Sequence, residues 1–199
     1  MASDGHIEPD TNRSVLASSD LEFVRSVVEP VLDEQEINYS EFWDDGAGVY
    51  KISIYDHELK ETLTEKYNIP PGEKAESIEP PDGLGENEEV WYIKGWFDGE
   101  GWSEEMIKQH EDTEYCYPRV GFKVMSEKIR DWIAQELEER DIRVSTYDRE
   151  DGSHGLWING YEECRKFDEL IGFRHPEQDR KLKELFANWE SRSEARGTG

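Results

Sequence analysis

The stretch WYIKGWFDGEGW, Trp91 to Trp102, sets tryptophan, tyrosine, isoleucine and phenylalanine directly before an acidic, glycine-punctuated tail. Its pattern predicts a helix from Glu88 to about Gly101 that is apolar on nearly every side, and such a helix must be buried on nearly every side. Gly95 and Gly99 stand four apart, hence on one helix face, where the missing side chains leave room beside Trp96 for a second helix. Glycine inside a helix costs about 1 kcal/mol relative to alanine, so its presence calls for such a packing reason. The acids Asp98 and Glu100 fall at the helix end. Asp98 is read as capping or supporting that end, whereas a carboxylate at Glu100, beside backbone freed by Gly99 and Gly101, suits a hard, oxygen-seeking cation such as magnesium. A plainer reading stays open, in which a buried helix ends in a solvated acidic turn. A hand-shaped calcium loop does not fit, because DGEGWSEEM lacks oxygen donors at alternating positions.

Around this window lie 199 residues, enough for one sizeable domain or two small ones. Eighteen apolar residues never run together, and MASDGHIEPDTNRS lacks the basic start and apolar centre of a signal peptide. A soluble, cytoplasmic protein without a membrane partner is therefore expected. Asp and Glu number 48 against 23 Lys and Arg, a net charge of -25, yet 12% of residues are aromatic and the apolar positions are periodic, unlike an acidic disordered chain. Dense carboxylates keep a protein hydrated in molar salt, so a halophilic source with a high-salt cytoplasm is expected, and only local Lys and Arg clusters inform on partners. Cys116 and Cys164 read as ordinary thiols, and the scattered histidines as solvated or capping groups.

An internal repeat organises the chain. SSDLEFVRSVVEPVLDEQEI (from Ser18) and SEKIRDWIAQELEERDI (from Ser126) both carry helical spacing. Ser19 with Glu22 forms a capping-box signature in the first, where Pro30 is expected to kink or restart the helix; Ser126 caps the second. The two superpose without a gap, Val24, Val27, Val28, Leu32 and Ile37 opposite Ile129, Trp132, Ile133, Leu137 and Ile142, and Ser40 opposite Ser145. Each is followed by strand, polar turn, strand and a short helix, and preceded by a strand, in NRSVLASSDLEF and PRVGFKVMSEKI. The second copy also has the opening helix and a short, polar first strand within GWSEEMIKQHEDTEY, both lacking in the first. The division that follows is a disordered N-terminus 1–11, a truncated first repeat 12–70, a linker 71–87, a complete second repeat 88–190 and a disordered tail 191–199.

At these residues the chain resembles the LAGLIDADG homing endonucleases. IKGWFDGEG looks like that family's signature, the order helix, two strands, helix, two strands, helix is similar to its repeat, and LIGFRHPEQDRKLKELF resembles the segment that often closes it. The resemblance runs from about Asn12 to Phe186. It implies an α+β fold of αββαββα repeats with mixed or antiparallel, saddle-shaped sheets, the first copy lacking its opening helix and strand. It also implies a DNA endonuclease that hydrolyses phosphodiesters of double-stranded DNA. Glu100 would be the catalytic and metal-binding acid, the Gly99 carbonyl a second ligand and magnesium the cofactor, while Gly95, Gly99 and Trp96 would form a helix interface suited to a homodimer. A single motif also admits a catalytically inactive or degenerate relative acting as a DNA-binding or regulatory module.

DNA is expected along the strands. Alternation sends Val120, Phe122 and Val124 one way and Arg119, Gly121 and Lys123 the other, and groups Arg143, Ser145, Tyr147 and Arg149. These residues are the candidate DNA contacts; the alternative for any one arginine is an exposed sheet face. The first copy's matching set, Arg13, Asn38, Ser40, Lys51 and Ser53, is less basic. Trp132, Trp157 and Trp189 read as core. Lys166, Arg174, Arg180 and Lys181 are the candidates for a cation beside the scissile phosphate.

Overall fold

The computed structural model describes residues 5–72, 76–110 and 113–197, so residues 1–4 and 198–199 of the expected disordered ends and 73–75 of the expected linker lie outside the described residues. The chain divides into two compact units, residues 1–99 with 174–176, and residues 100–173 with 177–199. The first contains β1 (Gly5–Ile7), β2 (Arg13–Ser18), α1 (Leu21–Phe23), a π-helical turn at Val24–Val28, α2 (Glu29–Glu34), β3 (Tyr39–Asp44), β4 (Val49–Tyr55), α3 (His57–Glu61), a π-helical turn at Thr62–Lys66, and all but the last residue of α4 (Glu86–Glu100). The second holds β5 (Gly101–His110), β6 (Thr113–Val124), α5 (Glu127–Glu139), β7 (Val144–Asp148), β8 (His154–Asn159), α6 (Tyr161–Leu170) and nearly all of α7 (Pro176–Gly197). Their sheets are ordered β1-β2-β4-β3 and β5-β6-β8-β7, every ladder antiparallel. The α+β expectation holds, and the common strand order is the repeat in three dimensions.

Strand alternation builds both cores. In the second unit Val120, Phe122, Leu156 and Ile158 are fully buried on the face where α5 and α6 pack, with Ile129, Ile133, Leu137 and Phe167. Each such side chain contributes about 1.5–3 kcal/mol on leaving water. Cys164 shares this core, and burial pushes its thiol up to about 12, so it remains an inert packing group. In the first unit Leu16, Ile52 and Ile54 meet Val24 and Leu32. No helix among the described residues is long and apolar enough to cross a membrane.

The structure corrects the sequence reading in several places. The first copy does have an opening strand: β1 pairs Gly5, His6 and Ile7 with Leu16, Val15 and Ser14, and Ile7 is 1% exposed. Three residues are too few to show alternation, which is why this stretch read as a disordered terminus. The second copy's first strand is long, the ten residues of β5, and α7 continues to Gly197 through most of the expected tail. Asp20, not Ser19, caps the first helix by accepting the Phe23 N–H at 3.0 Å, as Ser126 accepts that of Ile129 at 3.3 Å. Serine and aspartate are equally good caps, so neighbouring positions compete.

That cap also shows that the copies do not superpose without a gap. Phe23 takes the place of Ile129 at the helix start, yet at its end Ile37 donates to Leu32 O and Ile142 to Leu137 O, both at 2.9 Å. One additional residue is accommodated in between, where the π turn at Val24–Val28 precedes Pro30. Proline lacks an N–H and its ring collides with the carbonyl four residues back, which loosens the ladder and restarts the helix as α2.

Both helices end on a left-handed residue, Glu36 at φ 53° and Asp141 at φ 60°. An L side chain costs about 1–2 kcal/mol there. Glu36 is exposed, so Glu36→Gly is expected to raise unfolding stability by about 0.5–1 kcal/mol and Glu36→Val to lower it. Urea unfolding at fixed salt checks this; a destabilised glycine variant would refute the cap assignment.

Candidate nucleic-acid interface and acid site

Helix α4 is less enclosed than its composition suggests. Tyr92, Ile93, Trp96, Phe97 and Asp98 are buried, but Trp91 is 58% exposed and Gly95 and Gly99, on the same stripe, are only half-buried. Lys94 and Arg174 each lie 5.4 Å from the Trp91 ring, which keeps that indole tolerable at the surface. A Cβ added at Gly95 would meet only the Arg174 Nη2, at 4.0 Å. Next to the glycines runs an apolar groove of about 170 Å³ lined by Leu16, Phe23, Val27, Val28 and Val31.

The two motif acids have separate situations. The side chain of Asp98 is 2% exposed and accepts the backbone N–H groups of Arg174 (2.7 Å) and His175 (3.1 Å) as well as Arg174 Nε (2.7 Å). The His175 ring in turn stacks on Phe23, centroids 4.9 Å apart, with its Nε2 3.3 Å from Asp20. Arg174, a candidate for the cation beside the phosphate, is thereby placed against Asp98, and Lys166 against Asp141 at 2.7 Å. Glu100 is the last residue of α4, half-buried, immediately before β5. The last carbonyls of a helix lack intrahelical donors and lie at the negative end of its dipole. A carboxylate and a backbone carbonyl are oxygen groups of the type that hard divalent ions take, and the end of α4 carries both.

Elsewhere, Glu127, Asp148 and His154 bring their ligand atoms together. The buried Arg130 donates to Asp148 (3.1 Å) and Glu127 (3.4 Å), so a guanidinium already supplies the positive charge there. Hydrogen bonds from His154 and then Arg130 hold the Asp148 carboxyl below its ordinary range. This is an ion-pair network rather than a cation site.

The second sheet turns its other face outward. Register places Trp102 and Glu104 of β5, Arg119, Gly121 and Lys123 of β6, Gly155, Trp157 and Asn159 of β8, and Ser145 and Tyr147 of β7 on that side. Trp157, expected in the core, lies at its centre: Tyr147 stacks on it (5.1 Å, 20°), Trp102 meets it edge-on (5.2 Å, 87°) and Arg119 Cζ sits 3.7 Å above it. These rings need glycine beneath them. A Cβ on Gly121 would come within 2.5 Å of both indoles, and one on Gly155 within 2.3 Å of Tyr147. Arg119 Nε and Nη2 bond Glu104, the former at 2.8 Å. Arg149 lies 5.8 Å from the Tyr147 ring, and Lys123 is half-buried. Arg143 stands apart from the group expected for it. It precedes β7, and its N–H (2.8 Å) and guanidinium (2.8 and 3.0 Å) are held by Glu163 of α6. In the first unit, Arg13 is taken up by Ser53 and Glu8, and Lys51 by Asp44.

No family model matches the chain. The homing endonuclease I-ApeI of Aeropyrum pernix is 28% identical over 144 residues, 69% of this chain and 61% of the relative. The solved full-length DUF199/WhiA from Thermatoga maritima covers 96% of this chain and 57% of its own, with TM-score 0.62 at 15% identity. I-DmoI in complex with DNA and Mn covers 80% of each chain, with TM-score 0.53 at 15% identity, and the N-terminal LAGLIDADG domain of DUF199/WhiA covers 87% of this chain and 77% of its own, with TM-score 0.56 at 12%. The chain has a LAGLIDADG-type fold and is similar in sequence to a homing endonuclease. It spans 61% of the length of the curated relative it matches, and its likeness to the solved structures is one of fold.

Within this LAGLIDADG-like frame the sequence reading missed Glu104, which the β5–β6 register sets opposite Arg119, and the Asp98–Arg174 pair. The polar alternation of β5 would have pointed to the former; nothing local points to the latter. The glycine under the two indoles gives a direct test of the face. Gly121→Ala is expected to cost about 1–3 kcal/mol and to change the near-UV signal of the tryptophans, since ring and backbone must part. An unchanged spectrum with unchanged stability would show that the rings do not lie across the glycine.

Proposed function

We propose that the chain is a metal-dependent DNA endonuclease of the homing type, hydrolysing a phosphodiester of double-stranded DNA. The observation that carries this reading is a succession in the chain: Glu100 closes the motif helix, and at the next residue begins the sheet whose open face bears Arg119, Lys123, Ser145 and Tyr147. Such a face supplies cations that position phosphates and polar groups that read base edges. The similarity to a homing endonuclease, and to I-DmoI solved on DNA with Mn, supports it.

Glu100 and the Gly99 carbonyl are the groups that would hold the ion, for which we take magnesium. When bound, a divalent ion supplies an activated water and neutralises charge on the scissile phosphate. The chain's own residues do the remainder. Asp98 fixes the helix end through Arg174, Lys123 and Arg149 position phosphates, and Ser145 faces base edges, with Arg143 at the margin; Tyr147, expected among the contacts, has its hydroxyl buried over Gly155 and offers the face only its ring. The net charge of -25 fits a halophilic, high-salt cytoplasm, in which phosphate contacts are weakened. A binding module that does not cut is the second reading, favoured by the full engagement of Asp98, which leaves Glu100 as the motif acid for chemistry.

Cleavage of plasmid and random-sequence duplex DNA with magnesium, in molar KCl and in low salt, separates these. Cuts that vanish in Glu100→Gln are expected. A folded protein that retards DNA but never cuts it would establish the binding module instead.

The open Trp91–Gly95–Gly99 stripe and the groove beside it form the seam through which we expect two copies to pair. Gly95→Glu adds bulk and charge to that seam where nothing nearer than 4.0 Å opposes a Cβ. Sedimentation should show a dimer for the native chain and a folded monomer for the variant; a native monomer at every concentration would remove the seam.

A further inference from the structure

Arg119 differs from the other cations of the open face in being both flattened and neutralised. Its guanidinium lies 3.7 Å above the Trp157 ring, and Nε and Nη2 bond a single oxygen of Glu104, the residue opposite it on β5. Nη1 has no hydrogen-bond partner among the described residues. The side chain is 17% exposed, so this arginine is already ordered. Its counterpart in the first unit, Arg13, also meets a glutamate and an aromatic ring, Glu8 and Tyr55, but Ser53 engages its Nε and Nη2 and Glu8 its Nη1, so every nitrogen is occupied.

We infer that Arg119 and Glu104 together form a subsite for one G·C pair, read from the major groove. This rests on the reading of the chain as a DNA-binding endonuclease and names the base preference of its second sheet. A phosphate approaching Arg119 would also meet the carboxylate of Glu104, and the pair carries no net charge to release counterions. A base edge is a neutral array of dipoles and suffers no such penalty. Arginine presents paired N–H groups to guanine O6 and N7, and a glutamate oxygen accepts from the cytosine amino group, so the two side chains match the two halves of one pair. Trp157 beneath and Glu104 beside hold the guanidinium plane before DNA arrives, which removes most of the ordering cost of a long side chain. Lys123 and Arg149 remain for phosphates.

The experiment is selection from a random duplex library by the full chain, with salt titrations on a selected duplex, for the native protein, Arg119→Lys and Glu104→Gln. The native chain is expected to enrich a G·C pair at one position. Arg119→Lys, with one point charge in place of the fork, should lose that preference about ten-fold or more while the log–log salt slope stays the same. Glu104→Gln exposes the charge, so binding to unselected DNA should strengthen and the slope steepen by about one. Near-UV spectra confirm that each variant keeps its tryptophan packing. Unchanged base preference in Arg119→Lys, or uniform weakening over all sequences with a slope shallower by about one, would make Arg119 a scaffold or phosphate contact and overturn this proposal alone. Failure of the folded native chain to bind any duplex at any salt would overturn the endonuclease reading together with it.

Discussion

A carboxylate that is 2% exposed can exist only where donors replace its water, and Asp98 has three of them. Two are backbone N–H groups of Arg174 and His175, so the requirement falls on the path of the chain as well as on a side chain. That path puts Arg174 beside Trp91 and His175 against Phe23. The end of α4 is thereby held by an acid whose two oxygens are both engaged. The two motif acids, two positions apart, thus stand in different surroundings. Asp98 is engaged in fixing the helix, and Glu100, two residues on and only half-buried, is the residue with which that helix ends.

The open face of the second sheet depends on a different constraint. Rings can lie flat across a strand only where the strand has no Cβ, and Gly121 and Gly155 supply that absence beneath Trp102, Trp157 and Tyr147. The aromatic floor then orders the arginine above it. A cation–π contact of this kind is worth about 0.5–2 kcal/mol, modest beside the entropy it saves by fixing a long side chain. The chain here obtains order on a surface by the means usually seen inside a core.

The two copies share strand order, helix ends and even an arginine–glutamate pair, but they have not kept the same surface. In the first unit the basic residues of the sheet face are bonded to Glu8, Ser53 and Asp44, whereas the second holds Arg119 by one edge only. The overall charge conceals this difference, because 48 acids against 23 bases say nothing about which cations are already paired. Pairing is a matter of cross-strand neighbours, and these follow from register.

Much was legible in the sequence because it is local or periodic. The helix of Glu86–Glu100, the Ser126 cap, the inward Val120 and Phe122 and the doubled strand–helix order all follow from spacing that any short window contains. The three residues of β1 were too short to carry such spacing, and the choice of Asp20 over Ser19 as cap lay between chemically equal neighbours. What only the tertiary structure decided involves residues far apart in the chain. Asp98 meets a partner 76 residues away, Arg119 receives Trp157 beneath it and Glu104 beside it, and Trp157 faces outward although a tryptophan at a strand position suggests a core. Spacing determines which face a side chain takes relative to its neighbours in the same strand; which face meets the helices, and who stands opposite, is settled by how strands pair.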